Sequence, residues 1–198
     1  MKKLMLLLIP VLFSCENAPM AQVFSLDQVS EFNVDSDMIL PSNLATAFDY
    51  PVGRPDARGY YNAQPFGKNT HLGDDWNALT GGNTDLGDTI YAIANGYINF
   101  AEDIEGGWGN VVRISHYLPN GSSVESLYAH CDRIIIAANQ WVNIGEPIAT
   151  IGTANDQYSA HLHLEIRERL GMPIGGGYSS NTNGYLDPTE FINNHRRD

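Results

Sequence analysis

The sequence predicts a mostly β fold, a single antiparallel β-rich domain with few short helices. Three observations lead there. From Asp88 onward, short runs of β-type residues alternate with turn signals at hairpin spacing. The only helical pattern is a short turn near Pro188 to Asn193. A chain of 198 residues, 43% hydrophobic and 17% charged, can bury the core of one ordinary domain, and no internal repeat or second domain is visible.

Residues 16–46 are polar, carry several isolated acids and show no sustained period, so they read as a tether leading into the domain. Between Phe48 and Asn77, Gly, Pro, Asn and aromatic residues are dense. That composition argues for turns over regular structure, with no helix of three turns. The strands follow: Thr89 to Phe100, Val111 to His116, Ser123 to His130, Gln140 to Ile144, Ile148 to Thr153 and His161 to Arg167. Glu105-Gly106-Gly107, Pro119-Asn120-Gly121, Asn143-Ile144-Gly145 and Gly152 to Asp156 separate them as turns. This spacing favours antiparallel pairing through hairpins. The expected division is an export signal over 1–14, a tether over 15–46 and the domain over 47–198.

At the start, Lys2 and Lys3 precede an apolar run from Leu4 to Phe13, the anatomy of an export signal. The run is well short of the ~18–20 apolar residues needed to cross a bilayer, so it addresses the chain and does not hold it as a transmembrane helix. Leu12-Phe13-Ser14-Cys15 resembles a bacterial lipobox, which implies a lipid anchor to a membrane through Cys15; Phe13 is bulkier than the residue usual at its place. The other reading is an ordinary signal peptide cleaved after Ala18 or Ala21. Both readings put the protein outside the cytoplasm, in the cell envelope. With Cys15 acylated, Cys131 is the only remaining thiol and no intramolecular disulfide can form. The formal charge of −12 becomes more negative once the two lysines are removed. Such a chain is poorly suited to nucleic acid, whose binding rests on Lys and Arg neutralising phosphate.

The chemistry concentrates in His161 to Arg167, where apolar and polar residues alternate completely. A strand sends successive side chains to opposite faces, so Leu162, Leu164 and Ile166 share one face and His161, His163, Glu165 and Arg167 the other. A polar face of this kind either meets solvent or, with two histidines two residues apart, serves a metal or acid–base role. Of the other histidines, His71 opens His71-Leu72-Gly73-Asp74-Asp75, while His116 and His130 end strands. A catalytic zinc site needs three N, O or S ligands and one open position. His71, Asp75 and His163 would supply that set, with Gly73 permitting a tight backbone between the first two.

These motifs resemble those of the lysostaphin/LytM-type zinc metallopeptidases, which carry His-x-Gly-x-Asp, Tyr-x-His and His-x-His-x-Glu in that order. Here they stand as His71-x-Gly73-x-Asp75, Tyr128-Ala129-His130 and His161-Leu162-His163-Leu164-Glu165, and the resemblance extends over about residues 48–192. It implies that His71, Asp75 and His163 bind one Zn²⁺ and that His130 and His161 are catalytic without being ligands. It also implies a β-rich fold with a narrow open active-site groove, and hydrolysis of peptide bonds in peptidoglycan cross-links. Two other functions known in that family are regulation of cell-wall hydrolases by members lacking ligands, and cleavage of glycine-rich extracellular protein.

Neighbouring residues carry two readings each. Glu165 is either a hydrogen-bond partner of a ligand or a strand-edge acid. Tyr128 either touches substrate or is a buried aromatic, and Trp76, Trp108 and Trp141 either line the groove or pack. Asp74 is expected to be solvated, His116 to be packed or hydrogen-bonded at a strand end, and Cys131 to be a small buried hydrophobe. His195 lies in a tail that the sequence leaves featureless. Cys131 where the family usually has leucine, and Gly152 to Gln157 in place of a Gly- and Thr-rich loop, depart from the family pattern.

Overall fold

The computed structural model describes residues 39–196. The export signal, Cys15 and the tether up to residue 38 lie outside them. Among the described residues, ten strands and one α-helix follow in order: β1 Tyr60–Gln64, β2 Asp74–Ala78, β3 Thr89–Tyr91, β4 Gly96–Asp103, β5 Asn110–Tyr117, β6 Ser123–Cys131, β7 Gln140–Val142, β8 Pro147–Thr150, β9 Leu162–Arg167, β10 Tyr185–Leu186 and α1 Pro188–His195. The main sheet runs β1-β2-β9-β6-β5-β4-β7, with β10 also pairing β9; β3 and β8 form a second, two-stranded sheet. Every pairing is antiparallel, as the hairpin spacing implies.

Alternation along the central strands divides the sheet into two faces. Val112 and Ile114 of β5, Tyr128 of β6, and Leu162, Leu164 and Ile166 of β9 join the main core with Ile90, Ile148 and Ile192. Full burial of each aliphatic side chain contributes about 1.5–3 kcal/mol. The opposite face has a smaller apolar cluster of Val111, Leu127, Ala129 and Ile174. Beside it lie Arg113, Glu125, His163, Glu165 and Arg167, all buried. The polar face of β9 is therefore not a solvent face: the segment after β9 folds back over it.

Three expectations are corrected by the fold. The stretch 48–77 contains β1 and β2, whose polar sequences Tyr-Tyr-Asn-Ala-Gln and Asp-Asp-Trp-Asn-Ala hide a strand pattern. Asp74, Trp76 and Ala78 are the buried alternates of β2, ordered by its pairing with β9. The single strand expected over Thr89 to Phe100 is two, β3 and β4 in different sheets, separated at residues 92–95. There the Asn95 carboxamide donates to Ser42 O and Leu44 O and accepts from Ile144 N, consuming the polar groups of a turn. The C-terminal tail is not featureless. Asp187 caps α1 by accepting from Glu190 N, Pro188 opens it, His195 stacks on Phe191 at 4.2 Å, and its carbonyl accepts from Phe48 N. Among the described residues no helix is long and apolar enough to cross a membrane.

Candidate metal centre and groove

β2 and β9 place the candidate ligands. Asp75 and His163 are directly opposed in their ladder, so their side chains leave the same face as close neighbours. His71 reaches them from the turn before β2, held by backbone pairing with Tyr178. Gly73 lies between, with an ordinary φ. Its role is close approach, because a Cβ there would sit 2.4 Å from Leu164 O and 2.9 Å from His163 Cε1. The tight turn expected of Gly73 is thus replaced by contact between backbone and β9.

The hydrogen bonds around the two rings fix their tautomers. Gln64 O lies 3.1 Å from His71 Nδ1, which must carry the proton and donate. Glu165 Oε1, 3.2 Å from His163 Nε2, does the same for that nitrogen. His71 Nε2 and His163 Nδ1 then face each other as lone pairs 3.0 Å apart, with Asp75 Oδ1 at 3.3 and 3.0 Å. Three acceptors directed at one point repel one another unless a cation lies among them. In the protein alone a proton fills that need. Burial disfavours a charged His163, but hydrogen bonds to Asp75 and Glu165 prevail and push its pKa up to about 9. Burial would raise the Asp75 pKa, yet its bonds to His163 and His71 hold it well below the usual carboxylate range. Two imidazoles with outer N–H groups anchored, plus one carboxylate, are a donor set suited to Zn²⁺, and the three ligand atoms lie within 4.8 Å of one another.

His130 and His161 stand beside this cluster. β6 bulges opposite Val111, where pairing shifts between Asn110–Cys131 and Val112–Tyr128. The bulge puts His130 in the left-handed region, φ 62°, with its N–H donated to Trp108 O. A non-glycine residue held there stores strain that the fold accepts in order to aim a side chain. The His130 ring lies 4.7 Å from that of His161 and 5.5 Å from that of His163. Burial, then the neighbouring histidines, pull its pKa down to about 3, so it is neutral at physiological pH; its Nδ1 is buried with no partner. His161 precedes β9 and donates Nδ1–H to Ser159 O, leaving Nε2 as an acceptor 3.8 Å from Asp75 Oδ1. All four histidines and Asp75 meet at one place, as the motifs imply.

A groove of about 400 Å³ opens over the cluster, lined by Gln64, Trp108, Tyr158, Gly176, Gly177 and Tyr178 besides the histidines His130, His161 and His163. Of the tryptophans only Trp108 lines it. Trp76 is in the core, and Trp141 packs on Tyr97 and Tyr117. Tyr158 and Tyr178, half-exposed at the rim, had no sequence pattern of their own; Tyr178 follows a run of three glycines, the nearest thing to a signal.

The residues around the site take definite places. Glu165 is buried and holds His163, which excludes the strand-edge reading. Asp74 is not solvated: it is fully buried and accepts from Phe66 N at 2.9 Å and Thr189 Oγ1 at 2.6 Å, pinning the loop between Gln64 and His71 to α1. Tyr128 is a buried aromatic whose hydroxyl accepts from Ile93 N. It lies 3.1 Å from Ser126 Oγ, which is 2.7 Å from His116 Nε2, while His116 Nδ1 is 2.9 Å from Asn95 O. Neutral His116, donating at Nδ1, lets this buried chain satisfy every member. Burial lowers its pKa to about 4. Cys131 is buried, its thiol pushed up to about 12 by burial, which makes it unreactive.

The antiparallel sheet thus presents a His–Asp–His set able to hold a metal ion, beside His130 and His161 in a groove. The chain belongs to peptidase family M23, whose model matches residues 71–179. Over 78 residues it is 36% identical to the lipoprotein NlpD of Yersinia enterocolitica, covering 39% of this chain and 75% of that one. The same identity over 78 residues relates it to the murein hydrolase activator NlpD of Escherichia coli, of which it spans 19%. In fold it is similar to the catalytic domain of a prophage-encoded M23 protein, EnpA, from Enterococcus faecalis, with TM-score 0.53, 21% identity, 72% of this chain and 95% of that one.

Proposed function

We propose that the chain is a zinc-dependent endopeptidase of the bacterial cell envelope that hydrolyses peptide cross-links in peptidoglycan, anchored to a membrane by lipid on Cys15. The observation that carries this reading is the convergence of three lone pairs, from His71, Asp75 and His163, beside His130 and His161 in an open groove. Zn²⁺ held by those three residues would polarise a peptide carbonyl and lower the pKa of a water to about 7. His161 accepts a proton at Nε2, since its Nδ1–H is committed to Ser159 O. Neutral His130 donates an N–H to the oxygen on which charge develops. Trp108, Tyr158 and Tyr178 flank the peptide and limit water.

Purified peptidoglycan incubated with the protein and zinc tests this. Peptides should be released. His130→Ala should keep its metal and lose most turnover, and His163→Ala should lose both. No release from peptidoglycan at saturating zinc would sink the substrate assignment, and release from a glycine-rich protein instead would redirect it. A second reading, an activator of separate murein hydrolases, draws on the likeness to the E. coli activator NlpD. It expects no release by the protein alone and faster release when a murein hydrolase is added.

A further inference from the structure

Arg167 is completely buried on β9, on the same face as His163 and Glu165. Its guanidinium points two ways. Toward the candidate metal centre, Nε donates to Glu165 Oε2 at 2.7 Å and Nη2 lies 2.6 Å from the same oxygen, while the other oxygen of Glu165 holds His163. Toward the segment after β9, Nη1 donates to Met172 O and Pro173 O at 3.4 and 3.2 Å, and Nη2 to Ile174 O at 2.7 Å. Three consecutive carbonyls are thus gathered by one side chain. Arg113 adds a 2.8 Å bond to Met172 O, and its partner Glu125 accepts from Gly171 N at 3.2 Å. Within a few residues the clamped segment becomes the groove wall: Gly175 O accepts from Trp108 Nε1 at 3.2 Å, Gly177 O accepts from Leu72 N, and Tyr178 pairs with His71.

A buried ion pair is a poor route to stability, since an apolar pair of similar volume often does as well. What this one provides is a rigid link. We infer that Arg167 is a positioning residue that fixes the orientation of His163 through Glu165 and, through the carbonyls of residues 172–174, the wall of the substrate groove. The inference rests on the zinc and peptide reading of the site given above. Lysine cannot replace it, because a single ammonium cannot hold a carboxylate and three carbonyls at once.

The test uses Arg167→Lys in the full chain. Zinc affinity is read by competition with a chromophoric chelator, ligand geometry by the visible spectrum of the Co²⁺-loaded protein, and the groove by KM and kcat on a cross-linked muropeptide. A folded Arg167→Lys should bind zinc about 10- to 100-fold more weakly, show an altered cobalt spectrum, and raise KM as well as lower kcat. A folded variant with zinc affinity, spectrum and KM all unchanged would overturn the inference. Should Arg167→Lys fail to fold, Glu165→Gln decides, since it removes the charge that Arg167 grips and leaves the three carbonyl bonds in place. It should weaken zinc binding and alter the cobalt spectrum, and an unchanged zinc affinity and spectrum would overturn the inference. The zinc and cobalt measurements need no hydrolysis, so they stand if the substrate is misassigned; an unaltered protein that binds no zinc would overturn the proposed function itself, and this inference with it.

Discussion

Gly73→Ala is the sharpest perturbation of the site that alters the chemistry of no functional side chain. A methyl at residue 73 would lie 2.4 Å from Leu164 O, 2.9 Å from His163 Cε1 and 3.0 Å from Glu165 Cγ. Ordinary contact begins near 3.4 Å, so the start of β2 must retreat from β9 by about 1 Å, and the first obstacle is backbone that cannot rotate away. Overpacking of this kind costs roughly 1–3 kcal/mol. The same retreat pulls His71 and Asp75 from His163, atoms now 3.0 to 3.3 Å apart. A displacement near 1 Å at a reacting site costs on the order of 100-fold in rate. Guanidinium denaturation of the metal-free protein isolates the packing loss, and chelator competition measures the metal loss. A Gly73→Ala protein with unchanged denaturation midpoint and zinc affinity would refute the claim that glycine is required there by strand approach.

Other consequences are independent of that glycine. Asp74→Ala orphans Phe66 N–H and the Thr189 hydroxyl, and should lower stability by roughly 1–3 kcal/mol; a loss under about 0.5 kcal/mol would return Asp74 to the solvated class. His116 has its pKa depressed to about 4 in the fold, against 6.5 when unfolded. Protonation therefore favours the unfolded chain: stability is complete above about pH 6.5 and is lost as pH falls toward 4, by up to roughly 3 kcal/mol. His116→Gln should remove that part of the slope, and denaturation midpoints with the same pH slope in both proteins would count against it. Gly176 lines the groove with ordinary φ, and a Cβ added there would meet no heavy atom within 4 Å, so Gly176→Ala should leave stability within about 0.5 kcal/mol. Its KM for a cross-linked muropeptide should rise; an unchanged KM would place Gly176 outside the substrate path.

What the sequence makes legible depends on which forces act locally. The alternation in Leu162–Arg167 is a property of the strand alone, and it assigns the faces of β9 correctly. That His71, Asp75 and His163 come together is legible, because residue types able to bind metal are few and their spacing is distinctive. β1 and β2 are not, since Asp74 and Asn77 are poor strand formers and become a strand only through pairing with β9 and the donors that satisfy buried Asp74. Burial of Glu165 and Arg167 depends on residues 171–174 folding back, a contact that no local pattern announces. The bulge that aims His130 is likewise set by register against β5. Tyr158 and Tyr178 reach the groove through loops whose paths are fixed by backbone bonds such as Ser179 N to Thr70 O.

The proposed chemistry depends on whether His71, Asp75 and His163 hold a metal together. The direct measurement is the zinc content of the purified protein by elemental analysis, compared with His163→Ala under the same zinc supply. One zinc per chain, lost in the variant while the fold persists by circular dichroism, is the expected result. Absence of zinc from the unaltered protein, or an equal content in the variant, would contradict it.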